Sequence, residues 1–278
     1  MTRQLRLTGI GLRKAHEQEI LQQLPAIAWL EVHSENYFIE GGAALHQLMQ
    51  IAQHYPLSFH GVGLSIGSTD ELNWQHLKKL RDVIRSIKPA LVSDHLAWSS
   101  LHGQYFHDLL PLPYTLECLS HITERVLKVQ DYLQQPLLLE NITHYVQFHA
   151  SQIPEYEFFN ELVARTGCQL LLDINNLYVS ASHLDFDPQL YLEKINAKAI
   201  AEYHLAGYSY HNKRLIDTHS ALISDEVWHL FATAVKHLGA KPTIIEWDQH
   251  LPALAVLIAQ AERAETIMRE IYAPQPTC

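Results

Sequence analysis

The chain is poor in cysteine, glycine and basic side chains, and each shortage removes a class of protein. Only three Cys occur in 278 residues. Cys118, Cys168 and Cys278 stand apart and are odd in number, which argues against a disulfide framework and against thiolate-held zinc. The 11 Gly are outnumbered by 19 His. No G-x-G-x-x-G follows the first apolar run, and GVGLSIGS (Gly61 to Ser68) lacks the Lys of a phosphate-binding loop; it reads as backbone passing close to a site. Lys and Arg total 20 against 30 Asp and Glu, a net charge of −10, so neither nucleic acid nor an anionic membrane is an expected partner. The longest apolar run, Leu251 to Ala259, is too short to span a bilayer. MTRQLRLTG carries charges where a signal peptide needs an apolar core, so a cytoplasmic location is expected. With no linker, low-complexity segment or short repeat, residues 1–278 are expected to form one domain with a frayed tail at 273–278.

What is present is an alternation of apolar runs and helical patterns. Strands are expected at Leu7–Gly11, Ala28–His33, Leu57–Gly61, Ala90–His95, Pro136–Asn141, Gln169–Ile174, Ile200–Leu205 and Pro242–Trp247. Helices are expected at Leu72–Ile87, Tyr114–Leu133, Glu155–Thr166, Ser224–Leu238 and Leu251–Ile271. The first of these has apolar residues spaced near 3.6, with Ser68-x-x-Glu71 as its capping box. Pro154 and Gly167 bracket the third. Eight β–α units in a chain of this length define an α/β fold, a single (β/α)8 TIM barrel. The rival doubly wound sheet gathers polar residues at one switch point, whereas here they recur at nearly every strand end.

Those ends carry the chemistry. Glu35, His60, Asp94, His95, Glu140, Asp173, Asn176, His204 and Glu246 close the runs, and the following segments add His183, Asp217 and His219. All lie at C-terminal strand ends, the catalytic face of a barrel. Six carboxylates in one cavity, Glu35, Asp94, Glu140, Asp173, Asp217 and Glu246, cannot all stay ionised unless cations neutralise them. No Lys or Arg stands at these ends, and Lys213 and Arg214 in a loop offset only part of the charge. Imidazole and carboxylate donors without thiolate point to Fe, Mn or Zn, with donors enough for two or three ions. Asp94 and His95 are adjacent and face opposite ways along a strand, so only one is expected to be a ligand. Glu35 is as well suited to capping backbone N–H groups. Glu31 and Glu202, inside strands, are expected to face helices or solvent. His46, His54, His76 and His237 are expected on helix surfaces, and His33, His102, His107, His144, His149 and His211 in supporting or surface positions.

GIGLR (Gly9 to Arg13), LEVHSENYF (Leu30 to Phe38), HGVGLSIGS (His60 to Ser68), SDHLAWS (Ser93 to Ser99), LLPLPYT (Leu109 to Thr115), LLDINNLYVSA (Leu171 to Ala181), EYHLAGY (Glu202 to Tyr208), IDTHS (Ile216 to Ser220) and IEWD (Ile245 to Asp248) together resemble the multinuclear non-haem iron oxidases of peptide natural-product biosynthesis. These include the methanobactin-biosynthesis oxidases, and the bufferin-maturase branch is the nearest in pattern. The resemblance covers essentially the whole chain. It implies a TIM barrel with two or three iron ions, mixed ferrous and ferric, and O2 as co-substrate. It also implies a Cys-containing precursor peptide as substrate and a small partner protein that recruits it. By motif, His60, His95, Glu140, Asp173, Asn176, His183, His204, Asp217, His219 and Glu246 would hold iron. Asp94 stands where relatives often have Glu, and Tyr208 where they commonly have His. Asp217 and His219 would also act as a base, and Glu35, Asn36, Asn141 and Tyr208 would meet substrate. The competing readings are a Mn- or Zn-dependent isomerase or hydrolase on the same barrel, and a His-rich metal-storage protein.

Overall fold

The computed structural model describes residues 6–38 and 42–272. The expected frayed tail and Cys278 lie outside them. Eight parallel strands close into a barrel: β1 (Thr8–Gly11), β2 (Leu30–His33), β3 (Leu57–Gly61), β4 (Leu91–His95), β7 (Leu138–Glu140), β8 (Gln169–Asp173), β9 (Ile200–Leu205) and β12 (Thr243–Ile245). They pair in that order, and β12 returns to β1 through Thr8↔Thr243 and Ile10↔Ile245. Outside the ring run α1 (Glu17–Gln23), α2 (Ala43–Ile51), α3 (Trp74–Ile87), α4 (Leu116–Leu133), α5 (Glu155–Thr166), α6 (Ile174–Leu184), α7 (Pro188–Lys194), α8 (Asp225–Leu238) and α9 (Leu254–Tyr272). The apolar core fills the layer between strands and helices, with Ile10, Leu30, Phe59, Phe158 and Phe231 fully buried. No described helix is long and apolar enough to cross a membrane.

Two antiparallel hairpins interrupt the β–α alternation, neither of them expected. β5 (Trp98–Leu101) with β6 (Gln104–Leu110) follows β4, and β10 (Ser209–His211) with β11 (Arg214–Ile216) follows β9. The expected capping box at Ser68 and Glu71 also gives way. Helix α3 starts later, where the Asn73 side chain accepts from His76 N at 3.0 Å. Ser68 Oγ instead receives Asp70 N and donates to Ser100 O, pinning a loop. Toward α4 that loop presents carbonyls, its Val62–Leu64 amides being taken by Glu35 and Asp94. Buried Arg125 of α4 donates to Ile66 O and Asp70 O at 2.7 and 2.6 Å, the inverse of an anion cradle.

Close approach fixes one glycine. A Cβ on Gly207, just past β9, would overlap the backbone of Ala221 and Leu222, which cannot swing aside. Gly207→Ala is therefore expected to destabilise the fold by about 1–3 kcal/mol through overpacking, read as a lowered midpoint in thermal unfolding.

Candidate metal centre

Strand parity decides which side chains enter the barrel. Successive residues of a strand point to opposite faces, and the register aligns His33 with His60 and His95 with Glu140. Parallel alignment of Asp173 with His204 places both on the same inward layer. Six strand ends thus deliver His60, His95, Glu140, Asp173, His204 and Glu246 to one buried cluster; five of the six are no more than 4% exposed and His95 is 8% exposed.

Glu140 is the hinge of this cluster. Its Oε2 lies 3.2 Å from His60 Nε2 and 3.1 Å from His95 Nε2. Its Oε1 lies 3.8 Å from His204 Nδ1, whose other neighbour is Glu246 Oε2 at 3.1 Å. Two groups of potential ligands, His60, Glu140 and His204, and Glu140, Asp173, His204 and Glu246, therefore share Glu140 and His204, and His95 joins the first at Glu140 Oε2. A third set adjoins Glu246. His219 Nδ1 is 3.2 Å from both Glu246 Oε2 and Asp248 Oδ2, and its Nε2 is 2.7 Å from Asp217 Oδ1.

The donor set fits cations. His95 Nδ1 lies 3.0 Å from Gly61 O and donates to it, since a carbonyl only accepts. His60 Nδ1 meets Ser93 Oγ at 2.8 Å, and Ser93 passes its own hydrogen to Phe59 O at 3.4 Å. Both rings thus turn a bare Nε2 lone pair toward Glu140 Oε2, an acceptor facing acceptors. Glu140 Oε2, Asp173 Oδ2 and His219 Nε2 are buried with no hydrogen-bond partner among the described residues. Separations of 3.1–3.8 Å suit donors sharing one ion, because two ligands about 2.1 Å from a metal and at right angles lie about 3 Å apart.

Electrostatics without a cation are correspondingly strained. Burial drives Glu140 well above the ordinary carboxylate range despite nearby His204. Burial also lifts Asp173 to about 7. Burial pushes His60 well down and His95 to about 4, leaving both neutral. His204 and His219 go the other way: burial opposes their charge, but Glu31 and Glu246 around His204, and Asp217 and Glu246 around His219, raise both.

Above the cluster opens a cavity of about 700 Å³, lined by His60, His95, Asn176, Asp217, His219 and Glu246 among others. Exposed Tyr105, Phe106 and Tyr145 stand at its rim. Thr143 Oγ1 and Asn175 Nδ2 lie 3.0 and 2.8 Å from Asp217, and Asp217 N donates to Tyr145 OH.

The remaining candidates are placed as follows. Asp94 turns outward, where its carboxylate accepts from Leu64 N and His95 N, and groups with Glu35 and His76. Glu35 Oε1 accepts from Val62 N and Gly63 N at 2.9 Å. Asn36 is exposed in a 3-10 turn (Ser34–Tyr37). Asn141 is spent on the Asp173 backbone, donating to its O and accepting from its N. Asn176 Nδ2 reaches Asn141 O at 3.0 Å and Glu140 Oε1 at 3.5 Å. His183 lies outside the ligand groups, with Nε2 on Leu215 O at 2.8 Å and its ring edge-on to Tyr145. Tyr208 stacks on Tyr178 away from the cavity lining.

Three expectations are corrected. Glu31 and Glu202 do not face helices or solvent: they are 2% and 0% exposed inside the barrel, on the inward parity of His33 and His204 two residues later. The rim is not free of fixed cations, since Arg13, two residues past β1, pairs with Asp248 at 2.5 Å and Glu246 at 3.5 Å. His76 is no surface residue; its side chain is 12% exposed, 3.7 Å from Glu35. Period-two counting back from His33 and His204 was the signal that would have found the two glutamates.

The closed ring of eight parallel strands with helices outside is a (β/α)8 TIM barrel, with buried His and carboxylate clusters at its C-terminal strand ends. The fold is similar to that of 3-keto-D-glucoside 4-epimerase YcjR from E. coli, with TM-score 0.62 and 13% identity over 94% of this chain and 99% of that one. It is likewise similar to endonuclease IV from Thermus thermophilus, with TM-score 0.59 and 15% identity over 95% and 98%. Sequence goes further than fold. Residues 7–269 match the family described as RiPP precursor modification enzyme MbnB/TglH/ChrH, and the chain belongs to that family. It is 47% identical to a UPF0276 protein of Vibrio vulnificus (strain YJ016) over 265 residues, 94% of this chain and 91% of the relative.

Proposed function

We propose that the protein is a multinuclear iron-dependent, O2-using oxidase that modifies cysteine residues of a ribosomally made precursor peptide, delivered by a small partner protein. The observation that carries this reading is Glu140, one oxygen of which faces His60 and His95 and the other His204, in a chain of a peptide-modifying family. Nitrogen and oxygen donors without thiolate suit iron in the cluster. Bound iron would supply redox chemistry with O2 and a position for the substrate thiolate.

The chain's own residues have distinct tasks in this reading. Glu140 and Glu246 each lie between two sets of donors and would hold ions bound there. His60 and His95, held neutral with Nδ1 hydrogen-bonded, present fixed Nε2 lone pairs. Asp217 stands in the open cavity, placed to accept the backbone amide proton that cyclisation of a modified cysteine releases, with His219 2.7 Å away as its charged partner. The aromatic rim of Tyr105, Phe106 and Tyr145 gives an extended peptide apolar surface to lie on.

The test is metal content per chain after anaerobic purification, with Mössbauer spectroscopy on iron-57-grown protein and O2 uptake with a Cys-containing peptide. Two or three coupled irons and peptide-dependent O2 consumption are expected. One or two Zn or Mn, no iron and no O2 uptake would replace the oxidase with an isomerase or hydrolase.

A further inference from the structure

One layer below the ligands, the barrel interior holds two carboxylates that the proposed chemistry leaves unused. Glu31 and Glu202 reach His204 from the side opposite the cluster. Glu31 Oε1 is 3.0 Å and Glu202 Oε1 3.6 Å from His204 Nε2, which makes no hydrogen bond among the described residues, while Nδ1 hydrogen-bonds Glu246 Oε2 at 3.1 Å and lies 3.8 Å from Glu140. Neither oxygen of Glu202 has a hydrogen-bond partner among the described residues. Ser58 Oγ donates to the other oxygen of Glu31 at 3.0 Å, and Ser58 is its register partner on β3.

We propose that Glu31, seconded by Glu202 and steadied by Ser58, is the positioning residue of His204: 3.0 Å from Nε2, it would take the Nε2 hydrogen when Nδ1 turns from Glu246 to a metal ion. The inference rests on reading the buried groups as metal sites. A neutral imidazole carries one hydrogen and one lone pair. If Nδ1 is a ligand, the hydrogen sits on Nε2. His204 is 0% exposed, so that hydrogen cannot turn to solvent, and the two glutamates are the acceptors beside it. A carboxylate behind a ligating imidazole fixes its tautomer and ring orientation and raises its basicity. Ser58 extends the arrangement: losing its hydrogen bond frees Glu31 to rotate without deleting any ligand.

The test uses the full chain loaded anaerobically with Fe(II) alone. Affinity is measured by chelator competition, ions per chain by elemental analysis, and the iron environment by Mössbauer spectroscopy, with folding followed separately by circular dichroism. Glu31→Gln is expected to lower the affinity of one ion by about 10–100-fold, alter the quadrupole doublet of that ion and leave the metal-free protein folded. Ser58→Ala and Glu202→Gln should act in the same direction and less strongly. Wild-type affinity and doublets in Glu31→Gln and Ser58→Ala overturn the inference alone. Wild-type protein that binds no Fe(II), Mn(II) or Zn(II) overturns it together with the metal reading. If Glu31→Gln does not fold, Ser58→Ala and Glu202→Gln decide by the same criteria. Metal loss that merely tracks the unfolded fraction in these variants counts against positioning.

Discussion

Glu140→Gln is expected to empty the centre without unfolding the protein. Metal content should fall below one ion per chain, and peptide modification should fall by well over 100-fold, beyond the 10–100-fold typical of groups that only support a ligand. The reason is the double duty of this side chain: Oε2 serves His60 and His95, and Oε1 serves the His204 side. Glutamine keeps the shape but offers one oxygen and no charge, so both ligand groups lose a member. The metal-free protein should be as stable as wild type or more so. Burial holds Glu140 protonated in the absence of a cation, and a neutral amide replaces a neutral acid. Elemental analysis and thermal unfolding of the metal-free forms check the two halves. Full metal and full turnover in the mutant would remove Glu140 from its bridging position.

Fe(II) affinity is expected to rise steeply between pH 6 and 7. Each proton displaced by a metal contributes about tenfold per unit. At least two must leave: the proton of Asp173, lifted to about 7, and that of Glu140, held well above its ordinary range. Stability of the metal-free fold runs in the opposite direction. Asp173 and Glu202, the latter lifted to about 8 by burial and by Glu31, hold protons in the fold that the unfolded chain releases near pH 4. Their contribution is complete below that point and declines as pH rises to 7 and 8. His204 and His219 are raised, so their contribution is complete below about pH 6.5 and is lost as pH climbs through their folded values. At the acid end Glu31, lowered to about 2 by His204 against the penalty of burial, loses its contribution as pH falls toward that value. The rise in melting midpoint on adding Fe(II) should therefore be greater at pH 8 than at pH 6. An affinity flat across that range would mean the buried acids are not displaced.

The barrel was legible because buried strands of a parallel sheet read as apolar runs, and here each run stops at a charged or imidazole side chain. Less legible were elements without that contrast. Helix α6 begins at Ile174 with no loop after β8, and Asp173 serves at once as strand end and N-cap, its side chain accepting from Asn176 N at 2.6 Å. A strand reading absorbs its first residue. The hairpin β5–β6 has five exposed residues in its second strand, so no half-buried alternation marks it. Within the site, the strand-end candidates stood out in the sequence, whereas the buried glutamates one layer deeper did not. A charge inside an apolar run suggests an outward face until its parity is counted from a neighbour known to point inward. Arg13 escaped for another reason: it lies past the end of β1, and only the folded loop brings it to Asp248.

Closure of the ring between β1 and β12 has a consequence for the order of events in the cell. The first strand pairs with β2 early but finds its second partner only after Thr243–Ile245 has been made, and Glu246, which touches both His204 and His219, comes later still. A chain emerging from the ribosome therefore carries His60, His95 and Glu140 long before it owns a complete centre. Ions gathered early would meet a partial, open set of donors and exchange away. In the proposed reading, metallation would follow synthesis, and its fidelity would depend on the metal pool that meets the finished barrel.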